Sequence, residues 1–382
     1  MCVIWLLFCI ALATAGYFYF GGWGVAIGLA MAMSTISAAF RLERYYQYKI
    51  GGSFRHWLRT ALGWGFDCAE LARRLGLKDA SELTAFKPAY HEVFIPKKNG
   101  AKRRLLVPDD KTKALQRLLL RRLLKKLHVH PAAHGFVKGR SAVQNAGKHA
   151  GQAVVISMDV IDFFPSTQAA RVEKYFRRIG WNREAAQLLT RLTTWDGGLP
   201  QGAPTSPALS NLVNYYLDVQ ITKAVARKKG TYTRYADDIT ISYPLDFPRT
   251  IQFIMEKVKR LLKSKGYRVH SLRKRRVRRQ HQRQYVTGLV VNVRPQLTRE
   301  QRRWLRAVKH RAAQGTPATL DAQQLQGWIS HEHAIALYNQ SQKSPAHRLA
   351  DNRKVIRRRK RAHAKAKGER EKAKGNGATE RA

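Results

Sequence analysis

The alternation of apolar and polar positions changes character several times along the chain. Residues 1–40 contain no Asp, Glu, Lys, Arg or His, and break at Gly21–Gly22 into two apolar runs. Each run is about long enough to cross a bilayer as a helix, at roughly 20 residues. Tyr17, Tyr19 and Trp23 cluster around the break, as aromatics do at a membrane–water boundary. The pattern predicts a transmembrane α-helical hairpin over 1–40. Residues 41–88 read as a helical linker. In it "CAELARRLGL" has an apolar period of 3.6, and "DASEL" restarts a helix with a capping residue. "YHEVFIPKKNGAKRRLLVP" (90–108) reads as strand, Lys-Asn-Gly turn, strand. "KALQRLLLRRLLKKL" (113–127) is an amphipathic helix with its Arg and Lys on the outer face. Downstream, "QAVVISMDVIDFFPS" (152–166) is a strand ending at carboxylates. "GLPQGAPTSPALSNLVNYYLD" (198–218) is a Gly/Pro-rich loop opening a helix. "TRYADDITIS" (233–242) reads as a strand, 250–265 as a helix, 273–283 as a very basic run, and "QYVTGLVVN" (284–292) as a strand. Residues 298–340 are helical again, and from Arg353 the chain is basic and low in complexity, the composition of a disordered tail.

Charge narrows the classes of partner. Lys+Arg is 71 against 25 Asp+Glu, a formal net charge of +46. Such a field attracts polyanions, with nucleic acid the first candidate and an anionic membrane surface or an RNA scaffold the alternatives. The first cations, Arg41, Arg44 and Lys49, follow directly on the apolar hairpin. The positive-inside rule then places the bulk of the chain in the cytoplasm and the protein in the inner membrane as a multi-pass species. Cys2, Cys9 and Cys68 are not spaced as zinc ligands or as a disulfide framework.

In so basic a chain the few carboxylates stand out. Asp237 and Asp238 are adjacent within an apolar, β-branched stretch, and Asp159 ends another. Adjacent like charges repel, and a divalent cation relieves that repulsion. If the two strands are neighbours, Asp159 and Asp237 project to the same rim of one sheet, and two or three carboxylates there can hold two Mg²⁺ ions, the arrangement that serves phosphoryl transfer. Aspartates that merely terminate strands are the alternative.

The order of motifs decides between these. "IPKKNGAKRRLLVP", "DVIDFFPS", "LPQGAPTSPALSN" and "YADD" follow one another as do the fingers motif and motifs A, B and C of bacterial reverse transcriptases, which the chain resembles. "NAGKH" (145–149) and "VTG" (286–288) resemble the two signatures of the retron type, carried here by Asn145, His149, Val286, Thr287 and Gly288. The resemblance covers about residues 80–330. It implies an α+β right-hand polymerase, with fingers and an antiparallel-sheet palm over 89–292, a helical thumb over 293–345 and a basic disordered tail over 346–382. It makes Asp159, Asp237 and Asp238 the catalytic metal ligands. It places Phe164 as a steric gate against a 2′-OH, and Lys102 and Arg103 on the triphosphate. Gln201 and Gly202 fall in a loop close to the incoming nucleotide. Lys274 stands at the motif D lysine, loosely, since the usual Asn-x-x-Lys-Thr has become "HSLRKRR" and the register can slip to Arg273 or Arg275. Asn145 and His149, four apart on one helix face, read as a structural or RNA-contact pair, and Asp162 as a turn residue.

The resemblance further implies dNTP substrates, a structured non-coding RNA as template and primer, a branched RNA–DNA product and a role in antiphage defence. A separate effector or self-association is compatible with it. The fused apolar hairpin departs from the plain family member. It leaves open a membrane effector or scaffold whose polymerase-like part mainly binds RNA. A non-retron defence or group II intron-like reverse transcriptase is the third reading.

Overall fold

The computed structural model describes residues 65–96, 100, 102–270, 276–315 and 320–342, together with Ser37. The expected membrane hairpin, the 97–99 turn, Lys274 and the basic tail lie outside those residues. No helix among the described residues is long and apolar enough to cross a membrane.

In chain order the elements are α1 (Cys68–Leu75), α2 (Ser81–Ala85), β1 (Tyr90–Pro96), β2 (Lys102–Pro108) and α3 (Asp110–Arg122) with a 3₁₀ turn at Leu124–Lys126. Next come α4 (Ala142–Gly147), β3 (Val154–Ile161), α5 (Ala169–Arg178), α6 (Arg183–Thr193), α7 (Ser206–Val213) and α8 (Tyr215–Ala226). Then follow β4 (Thr231–Tyr235), β5 (Asp238–Tyr243), α9 (Pro248–Lys263), β6 (Arg268–Val269), β7 (Arg276–Arg279), β8 (Tyr285–Val286), β9 (Leu289–Val290), α10 (Arg299–Ala313) and α11 (Ala322–Ser341). They divide into two compact units: Met1–Leu127 with Gln168–Val219, and His128–Thr167 with Gln220–Ala382.

In the first unit β1 and β2 form the expected antiparallel hairpin, registered from Tyr90 opposite Pro108 to Pro96 opposite Lys102. Helix α3 starts where Asp109 accepts a hydrogen bond from the Thr112 amide, which satisfies one of the free N–H groups of the first turn. The helix buries Thr112, Gln116 and Leu119 and turns its cations outward. Buried Gln116 donates to the Tyr90 hydroxyl (2.7 Å) and the Leu192 carbonyl (2.9 Å), which ties hairpin, α3 and α6 together. Trp181, 1% exposed, packs against Phe66, over which Arg74 lays its guanidinium.

The second unit is built on a five-stranded sheet in which β5 lies on one side of β3 while β6 and β7 share the other, every pairing antiparallel. β3 is the central strand and reads as a near-continuous apolar run because both its faces are covered. The "very basic run" is not simply a solvated stretch: its Arg276–Arg279 segment is β7, paired to β3 from Ser157↔Arg276 to Val154↔Arg279. The strand expected over 284–292 is a tight hairpin instead, β8 and β9, turned at Thr287 (φ 43°) and Gly288 (φ 86°). Sequence periodicity could not show this, because the apolar run continues through the reversal. That hairpin packs with α4, β3, α10 and α11 around Val155, Val286, Leu289, Leu305 and Ile335. Capping boxes at Thr298/Gln301 and Asp321/Gln324 start α10 and α11.

Candidate active site

Two aspartates face each other at one end of the sheet, with a third next to them in the chain. In the β3–β5 ladder Asp159 lies directly opposite Asp238. Asp237 precedes it in the β4–β5 turn, its carbonyl accepting from the Val160 amide at 3.2 Å. Directly opposed residues of an antiparallel pair point to the same face, with Cα atoms about 4.5–5.5 Å apart. The expected neighbour of Asp159 on this rim was Asp237; the register sets Asp238 opposite Asp159 instead, because Asp237 falls in the turn before β5, and both Asp237 and Asp238 are exposed.

The turn that carries them is strained and buttressed. Ala236 has φ 56°, unusual for a residue with a side chain. Buried Arg234 donates to the Ala236 carbonyl (3.3 Å) and sets its guanidinium over the Phe163 ring. The segment 130–140 runs alongside β4, bonding both the amide and the carbonyl of Arg234. Gly135 sits so close that a Cβ there would lie 2.7 Å from the Ala236 nitrogen. Sequence reasoning singled out neither Arg234 nor this segment. The available signal was a lone Arg amid the β-branched residues of a strand.

His270 was missed as well. Its amide bonds the Asp159 carbonyl (2.9 Å), and its Nε2 stands 3.5 Å from an Asp159 carboxylate oxygen. β6 delivers it by pairing with the end of β3.

Direct partners and the two-residue period put Ser157, Arg276, Val155 and Arg278 on the face that bears Asp159 and Asp238. A cavity of about 320 Å³ lies there, lined by Asp159, Asp238, Arg276, Arg278, Thr287 and Gly288 among others. Arg279, on the opposite face, is paired to Asp246 (2.5 Å). The sheet has sorted the basic run, turning two arginines toward the carboxylates and one away.

The two signature stretches are one structural unit. Thr287 Oγ1 donates to the Ala142 carbonyl (2.9 Å) and accepts from Asn145 Nδ2 (3.4 Å). His149 lies beyond the end of α4, so the pair does not share a helix face as expected. It is fully buried against β4 and β5, its ring nitrogens on Thr233 and Ser242, each at 2.7 Å. Burial, with the nearby charges of His134 and Lys148, lowers its pKa from 6.5 to about 3 and keeps it neutral. Asn145 is equally buried. Neither side chain is available to RNA, so of the two roles anticipated the structural one fits.

Phe164 is half-buried. Its ring lies against Phe163 (5.5 Å between centroids) and Phe136 (6.3 Å). Asp162 is a turn residue with φ 46° whose carbonyl accepts from the Ser166 amide. In the first unit, the Gln201 carbonyl accepts from the Leu106 amide (2.9 Å). Gly202 (φ 138°) leaves only 2.5 Å between a would-be Cβ and the Leu106 carbonyl oxygen. The close approach that glycine permits here is to the backbone of β2, the strand whose exposed start carries Lys102 and Arg103.

Among the described residues no three His, Cys, Asp or Glu side chains gather into a ready-made metal cage. Mg²⁺ is ordinarily held by one or two carboxylates completed by substrate phosphates and water. Asp159 and Asp238, with Asp237 next in the chain, are the carboxylates that would hold it.

A central strand ending in a carboxylate, paired to a hairpin turn bearing two more, is the layout of a polymerase palm. The chain belongs to the reverse transcriptase family: residues 95–288 match the family described as Reverse transcriptase (RNA-dependent DNA polymerase). It is 37% identical over 310 residues to the retron Mx162 reverse transcriptase of Myxococcus xanthus, covering 70% of this chain and 64% of that protein. It is 37% identical over 283 residues to the retron Mx65 enzyme of the same organism, again spanning 64% of the relative's length. To the retron Ec86 reverse transcriptase of Escherichia coli it is 32% identical over 244 residues, covering 75% of that protein.

Proposed function

We propose that the chain is the RNA-directed DNA polymerase of a retron, copying a structured non-coding RNA into single-stranded DNA that stays joined to the RNA. The observation that carries this reading is the pairing of Asp159 with Asp238, Asp237 adjacent, in a family whose relatives are named as retron reverse transcriptases. Asp159 and Asp238, with Asp237, would hold Mg²⁺, and a bound ion would supply charge neutralisation at the triphosphate and a lowered pKa for the attacking hydroxyl. His270 and the β6 pairing fix the Asp159 backbone, and Arg234 and Gly135 fix the turn under Asp237 and Asp238. Arg276 and Arg278 take phosphates of the strand being extended, where guanidinium geometry suits phosphate oxygens. Lys102 and Arg103 serve the triphosphate, and Phe164 packs beneath the sugar and excludes a 2′-OH.

In this reading residues 1–40, free of charge, anchor the protein in the inner membrane with its catalytic part in the cytoplasm. In the same reading the tethered polymerase serves antiphage defence. The test is Asp238→Asn in the full chain. It should abolish DNA synthesis on an RNA template while RNA binding persists, and full-length extension by the variant would overturn the assignment.

A further inference from the structure

Phe136 is the most conspicuous side chain near the carboxylates for which the reading above has no task. It is 58% exposed and adopts φ 61°, a conformation that is costly for a bulky L-residue. Both features work against it as a packing residue, yet the segment that presents it is firmly built. The Ala132 carbonyl and the His134 amide bond the backbone of Arg234 at 2.8 and 2.7 Å. Arg140 Nη1 donates to the carbonyls of His130 (2.8 Å) and Ala133 (2.5 Å). Gly135 is pressed against Tyr235 and Ala236 in the turn that leads to the aspartates. The ring is thus held at a fixed place against Phe164, on a segment packed on the Tyr235–Ala236 turn, with exposed Lys138 two residues on. Strain and solvent-facing apolar surface kept in place by so many bonds are features of functional sites. An aromatic face with a neighbouring cation is the pairing that takes up a single-stranded nucleotide, base on ring and phosphate on cation, without regard to sequence.

We propose that Phe136 is the stacking platform for the templating nucleobase at the insertion point, with Lys138 on the adjoining template phosphate. The proposal rests on the polymerase reading of the Asp159–Asp238 site. It makes Phe136 a positioning residue: it aligns the template base that selects the incoming nucleotide, and touches neither the triphosphate nor the metals. Because the ring is exposed, its removal leaves the core intact.

The experiment is steady-state single-nucleotide insertion by the full chain on an RNA template with an annealed primer, using wild type, Phe136→Ala, Phe136→Trp and Phe164→Ala. Two templates are compared, one with a normal base and one with an abasic residue at the insertion position. On the normal template Phe136→Ala should raise the dNTP KM about tenfold, with Phe136→Trp near wild type. On the abasic template wild type and Phe136→Ala should coincide, because there is no base to stack. An unchanged KM on the normal template, or the same deficit on both templates, overturns the proposal. Phe164→Ala reports separately through dNTP/rNTP preference. A relaxed preference there with an unaffected Phe136→Ala leaves the gate reading standing while the stacking role falls. Absence of templated insertion by wild type would instead sink the polymerase reading itself.

Discussion

Acid sensitivity of the palm should trace to His149. In the folded chain its imidazole is sealed between Thr233 on β4 and Ser242 on β5, with a pKa lowered to about 3 by burial. In the unfolded chain it titrates near 6.5, as an ordinary histidine does. Between these values the unfolded state binds the extra proton, so stability is complete above pH 6.5 and falls as the pH drops below it. The slope is about 1.4 kcal/mol per pH unit, which amounts to about 2 kcal/mol at pH 5. That is a sizeable part of the 5–15 kcal/mol of a typical domain. His134, whose pKa burial also lowers, to about 4, adds to the loss with the same sign. The perturbation is His149→Gln, which keeps a polar group for the two hydroxyls but removes the titration. The assay is urea unfolding followed by far-UV circular dichroism at pH 7 and pH 5. The variant should be less stable than wild type at pH 7, while losing about 2 kcal/mol less than wild type between the two pH values. Equal losses in both proteins would refute the reasoning, because His149 would then be taking up no proton on unfolding.

Gly202→Ala should be destabilised by about 1–3 kcal/mol, since φ 138° is unfavourable for alanine and its Cβ would meet the Leu106 carbonyl. The urea midpoint checks this. Arg276→Gln and Arg278→Gln should each lower the slope of log K against log salt for primer–template binding by about 1, while Arg279→Gln, on the opposite face with Asp246, should leave it unchanged. Residues 41–382 should synthesise DNA in solution and leave the membrane fraction, as should the full chain with Arg introduced at Leu7 and Leu29. A truncated chain that still fractionates with membranes would refute the anchor.

Much of the site was legible in the sequence because it lies in contiguous stretches. "DVIDFFPS" and "TRYADDITIS" carry the three aspartates at strand ends, and apolar, β-branched runs announce those strands. The strand–turn–strand pattern announced the hairpin at 90–108, and "DASEL" announced a helix, although α2 begins at Ser81 with no side-chain hydrogen bond at its N-cap. Local rules suffice where the information is local: a cap, a turn or a strand period involves residues within a few positions of one another.

The tertiary structure alone decided what depends on partners distant in sequence. Whether Asp159 faces Asp238 is a matter of register between strands some eighty residues apart, and a one-residue slip would send one of them to the other face. Register likewise turned Arg276 and Arg278 toward the carboxylates and Arg279 toward Asp246, although in the sequence all three belong to one basic run. The same holds for "NAGKH" and "VTG": their meeting through Thr287, and the burial of His149 beneath the strands of the candidate site, are made by packing. A hydrogen bond or a desolvated ring depends on which surfaces are brought together, and the order of residues along the chain does not state that.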